Sequence, residues 1–113
     1  MIGHPKLGAL WEGYALEEIV RFLEIRDENC YFWRTEHGAE LDLLLTIHGK
    51  KIGFEFKYAD VASLTKSMTI ALADLALDHL YVITPKGIDY KLAPNISCYG
   101  LKEFLTVAKD LIY

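Results

Sequence analysis

The sequence predicts an α/β (α+β) fold, in which a mixed β-sheet is flanked by helices. Apolar residues recur with 3.6-residue spacing near the beginning, in the middle and at the end of the chain, and short β-rich runs lie between these segments. The long middle helix leaves room for a crossover, so the strands on either side of it are expected to pair in parallel. Of the 113 residues, 52% are hydrophobic, which fits one core and one domain over 1–113.

Each element follows from its local pattern. A first helix over 6–26 is predicted by the apolar stripe of Ala15, Leu16, Ile19 and Leu23. A reversal at 48–51 joins two strands as an antiparallel hairpin. The other predicted elements are strands 31–35, 39–47 and 52–58, a helix over 62–77 capped by Ser63 or a neighbour, strands 80–84, 89–92 and 96–99, and a helix over 101–112.

Composition excludes several classes of protein. The net charge of −4 argues against a protein that coats nucleic acid by bulk charge, but not against a local site whose carboxylates hold a divalent cation. No run approaches the roughly 18 apolar residues of a membrane helix, and the segment Met1-Ile2-Gly3-His4-Pro5 lacks signal-peptide features. We therefore expect a cytoplasmic protein without a membrane partner. Cys30 and Cys98 have no metal-ligand spacing and are expected to be inert, mostly buried thiols.

The hairpin carries the residues that are candidates for catalysis or metal binding. Alternation along its second strand sends Phe54 and Phe56 to the core face, and Glu55 and Lys57 to the opposite face. If Ile47 pairs with Ile52, Asp42 lies directly across from Lys57, with Glu55 as its diagonal neighbour. Two acidic groups and one basic group are therefore expected on one patch of the sheet.

One glutamate of the first helix is misplaced for a surface role. Glu12 falls in the same narrow sector as the apolar stripe, whereas Glu17, Glu18 and Glu24 lie away from it. A carboxylate on such a stripe is costly unless it is neutral, hydrogen-bonded or ligated. A second interpretation stays open, in which Glu12 is a helix N-terminal carboxylate favoured by the helix dipole.

Two or three carboxylates with a lysine are what phosphodiester hydrolysis needs. Asp42, Glu55 and Glu12 would suffice as ligands of Mg²⁺ (or Mn²⁺), which would polarise the phosphate and activate a bound water. Lys57 could orient that water or stabilise the developing charge. A blander interpretation also stays open, because cross-strand Asp–Lys pairs are common on solvated hairpins and need no metal.

These residues resemble the signature of the PD-(D/E)XK nuclease superfamily, whose restriction-endonuclease-like core has the element order αβββαβ. The superfamily has a helix glutamate, a strand aspartate and (D/E)-x-K on the next strand, matched here by Glu12, Asp42 and Glu55-Phe56-Lys57. The resemblance implies Lys57, Glu55 and Asp42 as catalytic residues, and Asp42, Glu55, Glu12 and the Phe56 carbonyl as metal ligands. Leu41 stands where the superfamily name has proline, which many members also lack.

A second resemblance covers most of the chain and is strongest over 8–58. The segments 8–12, 31–35, 38–42 and 54–57 are similar to the uncharacterised C-terminal domain of a group of bacterial and archaeal AAA+-type ATPases. The sequence contains no GxxxxGK[ST] phosphate loop, so this chain is not itself the ATPase. We expect either a detached or truncated C-terminal domain or a domain that acts alone.

Three functions are therefore weighed. The first is a metal-dependent nuclease (endonuclease or exonuclease) or nuclease-like DNA-processing domain, a hydrolase acting on phosphodiester bonds. The second is a non-catalytic module that binds nucleic acid or protein, once attached to an ATPase, and the third is a protein-interaction domain without nucleic acid. The expected partners are DNA and an AAA+-type ATPase domain. A domain this small has little surface for gripping duplex DNA, so an active form is expected to be a homodimer or tethered.

Overall fold

The computed structural model describes residues 5–87 and 89–113. The prediction that the N-terminal segment lacks signal-peptide features concerns residues 1–4 in the main, which lie outside the described residues. The order α-β-β-β-α-β predicted for the first part of the chain is confirmed. In chain order the elements are α1 (Pro5–Phe22), a 3-10 turn (Asp27–Asn29), β1 (Tyr31–Arg34), β2 (Glu40–Ile47), β3 (Lys50–Phe56), α2 (Lys66–Asp74), β4 (His79–Thr84), β5 (Tyr90–Ala93), β6 (Ile96–Gly100) and α3 (Leu101–Ile112).

Six strands of the described residues form one mixed sheet in the order β1-β2-β3-β4-β6-β5. The pairs β1–β2, β2–β3 and β5–β6 are antiparallel, whereas β3–β4 and β4–β6 are parallel. The parallel β3–β4 pair is possible because α2 carries the chain back along the sheet between them. The α/β fold with a crossover helix, predicted from the sequence, is confirmed.

Helices cover both faces of the sheet. On one face, which we call the α1/α3 face, Ile19 of α1 and Phe104 of α3 pack around Phe54, and all three side chains are fully buried. On the other, the α2 face, Met68 and Ala71 of α2 join a separate apolar cluster. Apolar burial on both faces is what holds a parallel pair in the middle of the sheet.

Alternation along β3 decides which side chains meet which helix. Ile52, Phe54 and Phe56 belong to the cluster of the α1/α3 face. A Cβ atom on Gly53 would lie 2.8 Å from Leu77 Cδ1, in the cluster of the α2 face. Glu55 shares the parity of Gly53 and therefore points to the α2 face, as the sequence predicts.

The hairpin register differs from the predicted one by two residues. The turn consists of His48 and Gly49 alone, with φ angles of +52° and +78°, so Ile47 pairs with Lys50 rather than with Ile52. Positive φ at both central residues is the signature of a type I′ turn, whose twist matches the flanking strands. A shift of two residues leaves every side chain on its predicted face, because the side-chain period of a strand is two.

Three helix boundaries also differ from the prediction. Helix α1 ends at Phe22 rather than at residue 26, because Glu24 adopts φ +56° and Ile25 N–H donates back to Val20 O at 3.0 Å. Helix α2 runs over Lys66–Asp74 rather than over 62–77, and its cap is Thr65, a neighbour of Ser63. The bounds of α3 are as predicted. No described helix is long and apolar enough to cross a membrane.

Candidate functional site

The predicted acidic and basic residues gather at the end of β3. Glu55 is only 5% exposed, and its Oε2 atom lies 3.7 Å from Nζ of Lys57, which is itself half-exposed. Asp42, on the neighbouring strand β2, is half-buried and its Oδ2 accepts a hydrogen bond of 2.8 Å from Phe56 N–H. The structure therefore brings together three of the four predicted side chains, from two adjacent strands.

The cross-strand pairing of these residues is not the predicted one. Leu43 pairs with Phe54, and continuing that register by one residue places Asp42 opposite Glu55 rather than opposite Lys57. The backbone pairing of β2 with β3 ends at Leu43 and Phe54. Beyond that point, Phe56 N–H donates to the Asp42 carboxylate instead of to a backbone carbonyl of β2. The two acids are thus closer neighbours than the predicted diagonal arrangement implied.

Strand β2 is irregular next to Asp42. Its pairing with β1 shifts by one residue between Tyr31–Leu44 and Trp33–Leu41. As a result Leu41 packs in the cluster of the α2 face, whereas Leu43 packs in that of the α1/α3 face. Bulges of this kind re-aim one side chain and are common next to active sites.

Burial and like charge disfavour ionisation of both acids. Burial, followed by the Asp42 charge, raises the pKa of Glu55 to about 7, although Lys57 acts in the opposite direction. Burial also raises the pKa of Asp42, against the lowering effects of Phe56 N–H and Lys57. Glu40 adds negative charge near both. A cation held between Asp42 and Glu55 would remove this conflict.

Glu12 holds the chain just beyond β3. Its Oε2 accepts a hydrogen bond of 3.1 Å from Tyr58 N–H, and the neighbouring Trp11 ring lies 6.0 Å from the Tyr58 ring. The predicted position on the core-facing stripe is confirmed, since Glu12 is half-buried. The helix-dipole interpretation is wrong, because α1 begins at Pro5 and its first turn contains no acid.

The donor set fits a hard divalent cation with few protein ligands. Mg²⁺ takes oxygen ligands and is usually bound by one or two carboxylates plus substrate phosphates, which Asp42 and Glu55 can supply. Within residues 5–87 and 89–113, however, no group of three or more His, Cys, Asp or Glu side chains is placed to hold a metal. Glu12 is also absent from the charges that shift the pKa of Asp42 and Glu55. Its role as a ligand, like that of the Phe56 carbonyl, stays a prediction.

The interpretation as a solvated hairpin pair does not fit the structure. Asp42 and Lys57, the two partners of that pair, form no ion pair in the described structure, and Glu55 beside them is almost fully buried. The ion pair that forms is Glu55–Lys57 along one strand, not Asp42–Lys57 across two. A buried carboxylate needs a specific reason to stay there, and a functional site is one such reason.

Tyr90 and Asp60, near this edge of the sheet, were not predicted as site residues. The hydroxyl of Tyr90 donates to Ala62 O at 2.7 Å and accepts from Ala62 N–H at 3.0 Å, which pins the loop between β3 and α2. Both residues line a cavity with Lys86, which from the sequence is either an ordinary surface lysine or part of a phosphate-facing rim. One sequence signal was available, because Pro85-Lys86-Gly87 directly follows a buried strand.

The predicted burial is confirmed for Cys98 and only in part for Cys30. Cys98 is buried, Cys30 is half-buried, and neither forms a disulfide. Burial raises the pKa of both thiols, with Asp27 adding to the effect at Cys30. A raised pKa disfavours the thiolate form of both residues.

Fold and site together define an α/β domain with a two-carboxylate, one-lysine centre at the end of a central strand. Residues 7–104 match the model of a domain of unknown function, DUF4143, and the chain belongs to that family. It is 37% identical over 103 residues to the "Uncharacterized protein Rv2008c" of Mycobacterium tuberculosis and, equally, to the "Uncharacterized protein Mb2031c" of Mycobacterium bovis.

These relatives are much longer proteins. The alignment covers 91% of this chain but only 23% of each relative, so the chain spans about a quarter of their length. No solved structure matches the chain significantly.

Proposed function

We propose that this domain is a metal-dependent nuclease that hydrolyses phosphodiester bonds in DNA. The observation that carries the proposal is the convergence of Asp42, almost fully buried Glu55 and Lys57 at the end of β3. The resemblance of Glu12, Asp42 and Glu55-Phe56-Lys57 to the PD-(D/E)XK pattern supports the same function.

In this proposal Asp42 and Glu55 hold Mg²⁺ or Mn²⁺, with the Phe56 carbonyl and Glu12 as further candidate ligands. The bound metal would supply a polarised phosphate and a water of lowered pKa. Asp42 is oriented for this role by Phe56 N–H, which fixes one of its two oxygens. Lys57, 3.7 Å from Glu55 and half-exposed, is positioned to contact a substrate phosphate or to stabilise charge that develops on it.

A second candidate is a non-catalytic module attached to an AAA+-type ATPase domain. The observation that favours it is length, since the alignment covers only 23% of the relatives. In this case the domain would bind nucleic acid or a protein partner without a metal, and the acids would serve only to hold the strand ends. For either function we propose a cytoplasmic location, with a homodimer or a tethered form as the assembly that grips DNA.

The test is a titration with Mg²⁺ and Mn²⁺ followed by backbone NMR, with wild type compared to Asp42→Asn. The amide oxygen of Asn can still accept the Phe56 N–H, so the variant removes charge and keeps the hydrogen bond. Asp78→Asn is a matched control, because Asp78 Oδ2 accepts Lys51 N–H at 2.7 Å at the opposite end of β3.

We expect saturable shifts centred on Asp42 and Glu55 in wild type and in Asp78→Asn, but not in Asp42→Asn. Cleavage assays on single-stranded, duplex and branched DNA then follow, with the same three proteins. No localised shift up to about tens of millimolar, where even weak extracellular Ca²⁺ sites fill, would reject the catalytic proposal.

A further inference from the structure

A cavity of about 530 Å³ lies beyond the carboxyl ends of β3 and β4. Its walls come from the loop after β3, through Asp60 and Val61, from the turn after β4, through Lys86, and from Tyr90 at the start of β5. In α/β sheets ligands bind in crevices outside the carboxyl ends of the strands. The position of the cavity is therefore that of a ligand site.

The cavity lies close to the candidate site along the chain. A smaller cavity of about 310 Å³ shares Asp60 and Lys86 with it and is also lined by Tyr58, the residue after Lys57. Lys57 N–H donates to Ile83 O at 2.9 Å, which holds the end of β3 against β4, the two strands whose following loops line the cavity. The cavity and Lys57 are therefore at the same end of β3.

One wall of the cavity is preorganised. The Tyr90 hydroxyl makes two hydrogen bonds to the backbone of Ala62, at 2.7 and 3.0 Å, so the ring cannot turn away. Val61, which also lines the cavity, is 71% exposed, so its side chain can contact a ligand. A flat apolar group entering here would pack against a ring that is already held in place, at little cost of ordering it.

The charges of the cavity are available to a ligand. Among the described residues, neither Lys86 nor Asp60 takes part in a recorded ion pair. Lys86 can contact a phosphate, and the Asp60 carboxylate can accept a hydrogen bond from an amino group. An aromatic ring with amino groups, joined to a phosphate, is the chemistry of a nucleotide.

We propose that this cavity binds one unpaired nucleotide of a single-stranded nucleic acid, next to the phosphodiester contacted by Lys57. The base would lie against Tyr90 and Val61, and its phosphate against Lys86. A base that is stacked and paired in a duplex cannot enter a cavity, so the substrate class is single-stranded or locally unpaired nucleic acid. The proposal rests on the nuclease function for the phosphodiester contact assigned to Lys57.

The test measures binding of a fluorescein-labelled oligo-dA strand by fluorescence anisotropy in EDTA, where no metal-dependent cleavage occurs. The variants are Lys86→Ala and Val61→Ser. Lys50→Ala is the matched control, because Lys50 is an exposed lysine at the opposite end of β3. Circular dichroism confirms that each variant is folded. An abasic strand of equal length isolates the contribution of the base, and free dAMP as competitor distinguishes a strand from a mononucleotide.

We expect Lys86→Ala to weaken binding about five-fold or more and to lower the slope of log K against log salt by about 0.7, with Lys50→Ala unchanged. The abasic strand should bind about five-fold or more weakly than oligo-dA, and Val61→Ser should weaken only oligo-dA. The inference is overturned if wild type binds no strand, if both lysine variants behave alike, if the base makes no difference, or if dAMP binds as tightly as the strand.

The two proposals fail separately. If the binding pattern holds but wild type shows no Mg²⁺-dependent cleavage, the nuclease function is rejected and the nucleotide site remains. If cleavage depends on Asp42 while the Lys86 and Val61 variants bind and cleave like wild type, only the nucleotide site is rejected.

Discussion

Asp42 of β2 accepts the backbone N–H of Phe56 on β3 at 2.8 Å, at the point where the ladder between the two strands ends. Two residues further on, Glu12 of α1 accepts the N–H of Tyr58 at 3.1 Å. Two acids from different elements therefore accept N–H groups two residues apart, one at the end of β3 and one just beyond it. Each hydrogen bond uses one carboxylate oxygen, which leaves the second oxygen of each acid to meet a cation or water.

Replacing Glu55 by Gln should stabilise the protein at pH 8 and flatten the dependence of stability on pH. Folding raises the pKa of Glu55 from 4.5 to about 7, so between these values the folded state keeps a proton that the unfolded chain has lost. Stability therefore falls as the pH rises from about 4.5 through 7, by up to about 3 kcal/mol. A neutral Gln avoids this loss, and we expect a gain of about 1–3 kcal/mol at pH 8.

The measurement is urea unfolding of both proteins from pH 5 to pH 8 without divalent metal. Glu36→Gln is the control, since Glu36 is exposed and the charge change is the same. A wild-type stability that does not change over this range, or an equal gain from Glu36→Gln, would contradict the prediction.

Replacing Glu12 by Gln should leave the fold intact and weaken the response to Mg²⁺, for which Glu12 is a candidate ligand. The amide oxygen of Gln can accept the Tyr58 N–H as the carboxylate does. Glu12→Ala removes the acceptor and should cost about 1–3 kcal/mol of stability, because a half-buried N–H loses its partner. Thermal unfolding and the NMR titration with Mg²⁺ check both variants. A metal response in Glu12→Gln equal to that of wild type would remove Glu12 from the ligand set.

Replacing Gly100 by Ala should destabilise the protein by about 1–3 kcal/mol. A Cβ atom there would lie 2.9 Å from Gly87 N and 3.2 Å from Lys86 Cα, which are backbone atoms of the turn that lines the cavity. Gly13→Ala is the opposite case, because Gly13 is exposed within α1 and a Cβ would meet nothing within 4 Å. It should stabilise the protein by about 0.5–1 kcal/mol. Urea unfolding measures the free energy of unfolding of both variants. A change of the same sign in Gly100→Ala and Gly13→Ala would contradict the prediction.

Replacing His48 by Val should cost about 1–3 kcal/mol, whereas His48→Asn should be tolerated. His48 has φ +52°, a conformation that is strained for β-branched residues and accessible to Asn. Both variants lose the edge-on contact of the His48 ring with Tyr113, at 4.9 Å between centroids, so their difference isolates the backbone term. Equal melting temperatures for the two variants would show that turn strain is not the cause.

Much of the fold could be predicted because its signals are local. Alternation along β3 places Phe54 and Phe56 on one face of the sheet and Glu55 on the other, independently of tertiary contacts. The helical spacing of Ala15 and Ile19 likewise identifies the buried face of α1. The side-chain period of two also explains why Glu55 was assigned to the right face despite a register in error by two residues.

Helix ends and the hairpin register could not be predicted, because they depend on backbone conformation at single residues. Glu24, His48 and Ala76 all adopt positive φ, at +56°, +52° and +51°, without the glycine that usually marks such positions. At Glu24 this conformation ends α1, and at His48 it shortens the turn to two residues. The periodicity of the sequence predicts neither the end of α1 nor the length of the hairpin turn.

The sequence by itself determined the element order, the sheet faces and the candidate acids and lysine, because these follow from the spacing of side chains along one segment. Only the tertiary structure decided what those side chains meet. The Glu12–Tyr58 hydrogen bond joins residues 46 positions apart, and the Tyr90–Ala62 pair joins residues 28 apart. Such contacts form because buried N–H groups at strand ends must find acceptors, and which acceptor is near depends on how the whole chain packs.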